Sequence, residues 1–137
     1  MAMKITNATA DAMLATIATS LNTGYIRIYS GTEPTTANVA LSGNTLLAEL
    51  RFGATAFGAA TASGADRVIT ANAITQDSGA DADGTATFFR ALQSDGNTVV
   101  YQGTAGTSGQ QLNLSATNIV TGGVVSISSL TITMPTA

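Results

Sequence analysis

Tyr25-Ile26-Arg27-Ile28-Tyr29 alternates apolar and polar side chains with a period of two, the signature of a half-buried β-strand. Ile26 and Ile28 fall on one face, and Tyr25, Arg27 and Tyr29 on the other. The stretch decides the fold because the residues before it keep a different period. Between residues 7 and 21, Ala10, Met13, Leu14, Ile17 and Leu21 recur at the three-and-four spacing of one helix face. Thr6 or Asn7 is placed to cap that helix, Asp11 lies early where the dipole favours a carboxylate, and Gly24 is placed to close the end. A helix of about 14 residues is marginal alone, so its apolar stripe needs a sheet to dock on.

Beyond Tyr29 the chain reads as strands and turns. Residues 30–44, with Gly31, Pro34 and Gly43, form a long loop. Residues 45–52 alternate again, Leu46, Ala48, Leu50 and Phe52 inward and Leu47, Glu49 and Arg51 outward. Small residues fill 53–66, with a short strand around Phe57. Residues 67–75 read as a further strand and 77–84 as a turn. Segments 85–93 and 98–102 flank Ser94-Asp95-Gly96-Asn97, where Asp-Gly predicts a hairpin on a type I′ turn. Leu112 and Leu114 mark a short strand. Ile119-Val120 and residues 124–134 straddle Gly122-Gly123, which predicts a second hairpin. In that last segment Val125 and Ile127 share one parity and Leu130, Ile132 and Met134 the other, a phase shift at Ser128-Ser129 that a β-bulge produces. The predicted fold is mainly β: an antiparallel β-sandwich, jelly-roll-like or immunoglobulin-like, with one N-terminal α-helix. It forms one domain over residues 1–137, the helix at 7–21 and the sandwich at 25–134.

Composition narrows the function. The chain has no His, Cys or Trp, which removes the Ser-His-Asp relay, the thiolate nucleophile and the nitrogen- or sulfur-ligated metal site. No enzymatic activity and no cofactor are expected. A formal charge of −3 gives no electrostatic footprint for nucleic acid or an anionic membrane surface. No apolar run approaches the roughly 20 residues of a spanning helix, and Thr6, Asn7, Thr9 and Asp11 interrupt any secretion-signal core. The absence of cysteine suits assembly in a reducing cytoplasm. Hydrophobic residues make up 45%, but 24 of them are Ala, so the core is thin for the length. Charged residues are 9%, against about 25% in ordinary domains, and 23 Thr take their place. A surface of hydroxyls and methyls costs little to desolvate against a partner, and it equally suits a plain Thr-rich β protein.

Three groups of residues invite a chemical reading. Asp77, Asp81 and Asp83 form an acidic cluster in which Asp81-x-Asp83-Gly84 matches the middle of a calcium loop. Gly79 and Arg90 then occupy the first and twelfth loop positions, so a solvated turn is favoured and no metal site is assigned. Glu33 and Glu49 have no spacing that argues for a glycosidase pair, and Glu49 beside Arg51 suggests an ion pair. Tyr25, Arg27 and Tyr29 line one strand face, with Glu49 and Arg51 beside them if the two strands pair. These are interface-enriched residue types, and they serve a water-facing sheet side as well. Arg90 falls in line with Phe88 and Leu92. Either that strand has both faces covered, or Arg90 meets a carboxylate across a subunit boundary. Tyr25, Arg27, Tyr29, Glu49, Arg51 and Arg90 are thus the candidate partner contacts. The Gly-rich runs lack the Lys of a phosphate loop and read as turns.

The run Leu21-Asn-Thr-Gly-Tyr-Ile-Arg-Ile-Tyr-Ser-Gly-Thr-Glu-Pro, then Leu46-Leu-Ala-Glu-Leu-Arg-Phe-Gly-Ala-Thr-Ala-Phe-Gly, resembles a group of small virion proteins of tailed bacteriophages. Gly84-Thr-Ala-Thr-Phe-Phe-Arg-Ala-Leu with Ser94-Asp-Gly belongs to the same resemblance, which extends from the helix to the final strand. It implies a β-sandwich cement or decoration protein on the outer surface of an HK97-type capsid. It further implies the major capsid protein as partner, a homotrimer on three-fold positions, and a virion location after assembly in the bacterial cytoplasm. No catalytic residues carry over. The alternative is a tail, neck or fibre component that binds a receptor or glycan.

Overall fold

The computed structural model describes residues 3–136. Among the described residues a single helix, α1 (Asn7–Ser20), is followed by β1 (Tyr25–Tyr29), β2 (Leu46–Phe52), β3 (Thr61–Ser63), β4 (Asp66–Thr70), β5 (Ile74–Thr75), β6 (Gly84–Thr85), β7 (Phe88–Leu92), β8 (Val99–Gly106), β9 (Leu112–Leu114), β10 (Asn118–Ile119) and β11 (Ile127–Met134). Nine strands form one curled sheet in the order β3-β4-β11-β9-β8-β7-β1-β2-β5, and β6 pairs with β10 as a separate ribbon. The protein is therefore mainly β, a sandwich made by a sheet that folds over itself, with the helix at its N-terminal end. Pairing is antiparallel throughout the large sheet except at β8 and β9, which run parallel. That short parallel step joins the half β5-β2-β1-β7-β8 to the half β9-β11-β4-β3.

Both halves and the helix share one core. Ile26, Ile28, Leu50 and Phe89 enter from the first half, Ile69, Leu112, Leu114 and Leu130 from the second, and Leu14 and Leu21 from the helix. The period-two reading of β1 holds, since Ile26 and Ile28 are wholly buried while Tyr25 and Arg27 are half-buried. α1 starts as expected, with Thr6 as N-cap accepting the Thr9 N–H at 3.2 Å. It docks on β4 and β11, and Asp11 meets Arg67 of β4 in a two-point ion pair (2.7 and 3.1 Å) rather than serving the first turn. The hydrogen bond to Asp11 raises the Arg67 pKa further. Met13 is 44% exposed, so the buried stripe is narrower than the apolar spacing suggests. The helix also ends differently. Thr23 takes the left-handed conformation (φ 57°), whereas Gly24 is required because a Cβ there would lie 2.2 Å from the carbonyl oxygen of Leu92.

Other differences have local causes. Leu47, expected outward, is wholly buried: the β1–β2 register slips between Ile28 and Tyr29, and this bulge shifts the side-chain alternation. β7 and β8 form the expected hairpin, but Gly96 alone has positive φ (71°), so the turn is not type I′. Asp95 organises it, accepting from the N–H groups of Asn97 and Thr98 at 2.9 Å each and from the Thr98 hydroxyl at 2.6 Å. The strand expected over 67–75 is broken into β4 and β5, and β10 pairs with β6 instead of forming a hairpin with β11. The bulge expected at Ser128-Ser129 is present, as a register shift between Ile127 and Ser129.

Candidate functional site

β1 lies between β2 and β7, and its outward residues form rows across the three strands. Tyr25 stands opposite Arg51 and Leu92, Arg27 opposite Glu49 and Arg90, and Tyr29 opposite Leu46 and Phe88. The pairing that the sequence left conditional is thus made. Arg27 Nε donates to Glu49 Oε2 at 2.6 Å, with both side chains part-exposed. The guanidinium carbons of Arg51 and Arg27 lie 4.4 and 5.7 Å from the centroid of the Tyr25 ring. At a partly exposed position such cation–π contacts contribute roughly 0.5–1 kcal/mol. Four of the six candidate residues, Tyr25, Arg27, Glu49 and Arg51, therefore meet in one part-exposed and mutually braced cluster.

Tyr29 and Arg90 do not join that cluster. Tyr29 is 6% exposed and stacks on Phe88, with ring centroids 5.2 Å apart and planes at 17°. Burial raises its hydroxyl pKa against the opposing pull of Arg27 and Arg90. Arg90 is 5% exposed; its Nε donates to Gln102 Oε1 at 3.1 Å and its Nη2 to the carbonyl oxygen of Val39. Gln102 Nε2 in turn donates to the carbonyl oxygen of Pro34 at 2.7 Å. Residues 30–44 are thus strapped over the outer face of β1, β7 and β8, and Asn44 Nδ2 pins the base of the strap to the carbonyls of Ser30 and Thr32. All five residues of β7 are buried. Of the two explanations for Arg90, the covered strand is the one realised, and the cover comes from the same chain. Gln102 was missed in the sequence, although a hydrogen-bonding residue directly across from a buried Arg is the signal that finds it.

Two of the three carboxylates of the acidic cluster, Asp77 and Asp83, are spent on the protein itself. Asp77 Oδ2 accepts the Glu49 N–H and its Oδ1 the Gly79 N–H, both at 2.9 Å, so the loop continues the edge of β2. Asp83 Oδ1 accepts the Thr121 N–H at 2.6 Å and the Thr121 hydroxyl at 2.9 Å, and these bonds hold its pKa below the usual carboxylate value. Among the described residues no three acidic, His or Cys side chains converge as a metal site. Glu33 lies in the strap and Glu49 on the open sheet face, where Arg27 occupies its carboxylate. No protein-family model matches this chain, and neither a curated protein nor a solved structure compared with it is significantly similar.

Proposed function

We propose that the protein is a structural component of a tailed-bacteriophage virion, a cement or decoration protein that binds the outer surface of an HK97-type capsid and stabilises capsomer junctions. The observation that carries this reading is the part-exposed cluster of Tyr25, Arg27, Glu49 and Arg51. It sits on two interior strands, and each member is braced by another before any partner arrives. Prior ordering lowers the conformational entropy lost on association, and Tyr and Arg supply contact area with polar handles. The low charge of the remaining surface keeps desolvation inexpensive. The sequence resemblance names the major capsid protein as partner and a homotrimer as the assembled state. The mechanism is mechanical: contact area repeated in many copies across capsomer boundaries resists the pressure of packaged DNA, without bonds being made or broken.

The test is rebinding of purified protein to capsids assembled without it. The double variant Tyr25→Ala with Arg51→Ala is expected to lose occupancy by about tenfold or more, as interface anchors do, while keeping the wild-type circular dichroism spectrum. Full occupancy by that variant would exclude this face as the binding surface. Light scattering that finds only monomer at high concentration would exclude a preformed trimer.

A further inference from the structure

β9 is three residues long and lies between β8 and β11, which pair with each other nowhere. It partners Ala105 and Gly106 of β8, and Ile127, Ser129 and Leu130 of β11. Past its first residue the two neighbours run on with nothing regular between them. Residues 101–104 of β8 then pair only with β7, and residues 131–134 of β11 only with β4. Where β9 stops short, main-chain groups of β8 and β11 that a continued strand would bond are left without one.

The hydrogen-bond phase shows which groups open onto the gap there. Ala105 N–H donates to the carbonyl of Thr87 on the β7 side, and Ala71 N–H donates to the carbonyl of Leu130 on the β4 side. Main-chain groups alternate sides along a strand, so those of Gln102, Thr104, Thr131 and Thr133 point into the gap. Two are already met: the Thr131 N–H by the carbonyl of Gln111 at 3.4 Å, and the Thr104 carbonyl by β9, whose Leu112 is bridged to Ala105. A cavity of about 460 Å³ fills the gap, walled by β8, β11 and residues 109–111, and none of its lining residues is charged. Open edges are ordinarily blunted by Lys, Pro or an inward charge, and residues 101–104 and 131–134 carry none of these. Tyr101, in the same wall, stands edge-on to Phe89 at 5.5 Å, and its hydroxyl is buried without a hydrogen-bond partner.

We propose that this gap is a strand-acceptor site, filled by an extended, uncharged segment of about four residues from a partner protein. The segment continues β9, parallel to β8 and antiparallel to β11. It bonds to the main chain of Gln102 and the N–H of Thr104 on one side and to the main chain of Thr133 on the other, the Thr131 N–H being already held by Gln111. Its alternate residues are apolar, facing inward beside Tyr101 and Ile132, and hydroxylic, facing outward. A different protein is favoured as donor because the described end segments and the strap of this chain are already engaged. Ile5 N–H is held by the carbonyl of Thr136, the Thr136 hydroxyl by the carbonyl of Ala65, and the strap by Arg90, Gln102 and Asn44. The proposal stands independently of the capsid reading.

A strand supplied in cis tests it. β11 ends beside the gap, so the sequence Thr-Val-Thr-Val-Thr, joined to the C-terminus through a short Gly-Ser turn, can reverse into it. A matched extension with Pro at alternate positions cannot bond to both edges. Amide hydrogen exchange read by NMR is expected to slow by about tenfold or more at Gln102, Thr104 and Thr133 in the first variant relative to the second. The same peptide in trans, titrated into the unextended protein, is expected to shift those three amide resonances. Equal exchange in the two extensions, with no shift on titration, overturns the site. Concentration-dependent dimers of the unmodified protein that protect the same amides would make the donor a second copy and overturn the assignment to a different protein.

Discussion

Replacing Phe88 with Ala tests whether the strapped face is a second packed layer or a solvated sheet side. Phe88 lies on the face away from the main core, is wholly buried, and stacks on Tyr29. Truncating a buried Phe costs about 3–5 kcal/mol, and the stacked pair accounts for about 0.5–1.5 kcal/mol of such losses. The cover here is a loop, which relaxes into a cavity more readily than a sheet does, so the low end applies: about 3 kcal/mol. For a chain of this size each kcal/mol moves Tm by about 3–4 °C, giving a fall of about 10 °C. Thermal unfolding followed by circular dichroism, with urea titration to confirm an unchanged slope, reads the effect. A water-facing Phe changes stability by no more than about 0.5 kcal/mol. A Tm shift under about 2 °C would therefore refute the claim that residues 30–44 bury this face.

Three further outcomes are expected. Gly24→Ala places a Cβ 2.2 Å from the Leu92 carbonyl oxygen and 2.8 Å from that of Leu21, and should cost about 1–3 kcal/mol by urea unfolding. Asp77→Ala strands the Glu49 and Gly79 N–H groups and should cost about 1–3 kcal/mol, with faster hydrogen exchange at the Glu49 amide. Asp95 is held down to about 2 from an ordinary 3.8, chiefly by its hydrogen bonds with Thr98 and then Asn97. Between those values the unfolded chain binds the extra proton, so this contribution is present above pH 3.8 and is lost as pH falls towards 2. Asp95→Asn should accordingly flatten the fall of Tm with acid in that window, and an unchanged acid slope would contradict it.

Legibility in the sequence followed the range of the interaction. β1, the start of α1, the β7–β8 hairpin and the bulge before Leu130 were readable because periodicity and turn chemistry act between near neighbours. Leu47 was misplaced because its bulge arises from pairing with β1, a relation no local pattern records. Gly24 was assigned to the helix end, whereas its requirement comes from Leu92, far along the chain. The part-exposed cluster was legible once β1 and β2 were taken to pair, since Arg27 and Glu49 then fall opposite each other. Burial of Tyr29 and Arg90 was not, because residues 30–44 have no period and their path depends on bonds from Gln102 and Arg90 to backbone carbonyls. The strand gap was invisible for the same reason: it is defined by the length of β9 relative to neighbours brought together only by the fold.

The central claim, that this molecule works as a many-copy mechanical element of a phage shell, is tested most directly by counting it in purified virions and challenging particles that lack it. The account expects copies in the hundreds per particle, density over capsomer junctions by cryo-electron microscopy, and DNA loss at lower temperature or osmotic stress once the protein is removed. A handful of copies confined to the tail, or particles equally robust without it, would contradict the account.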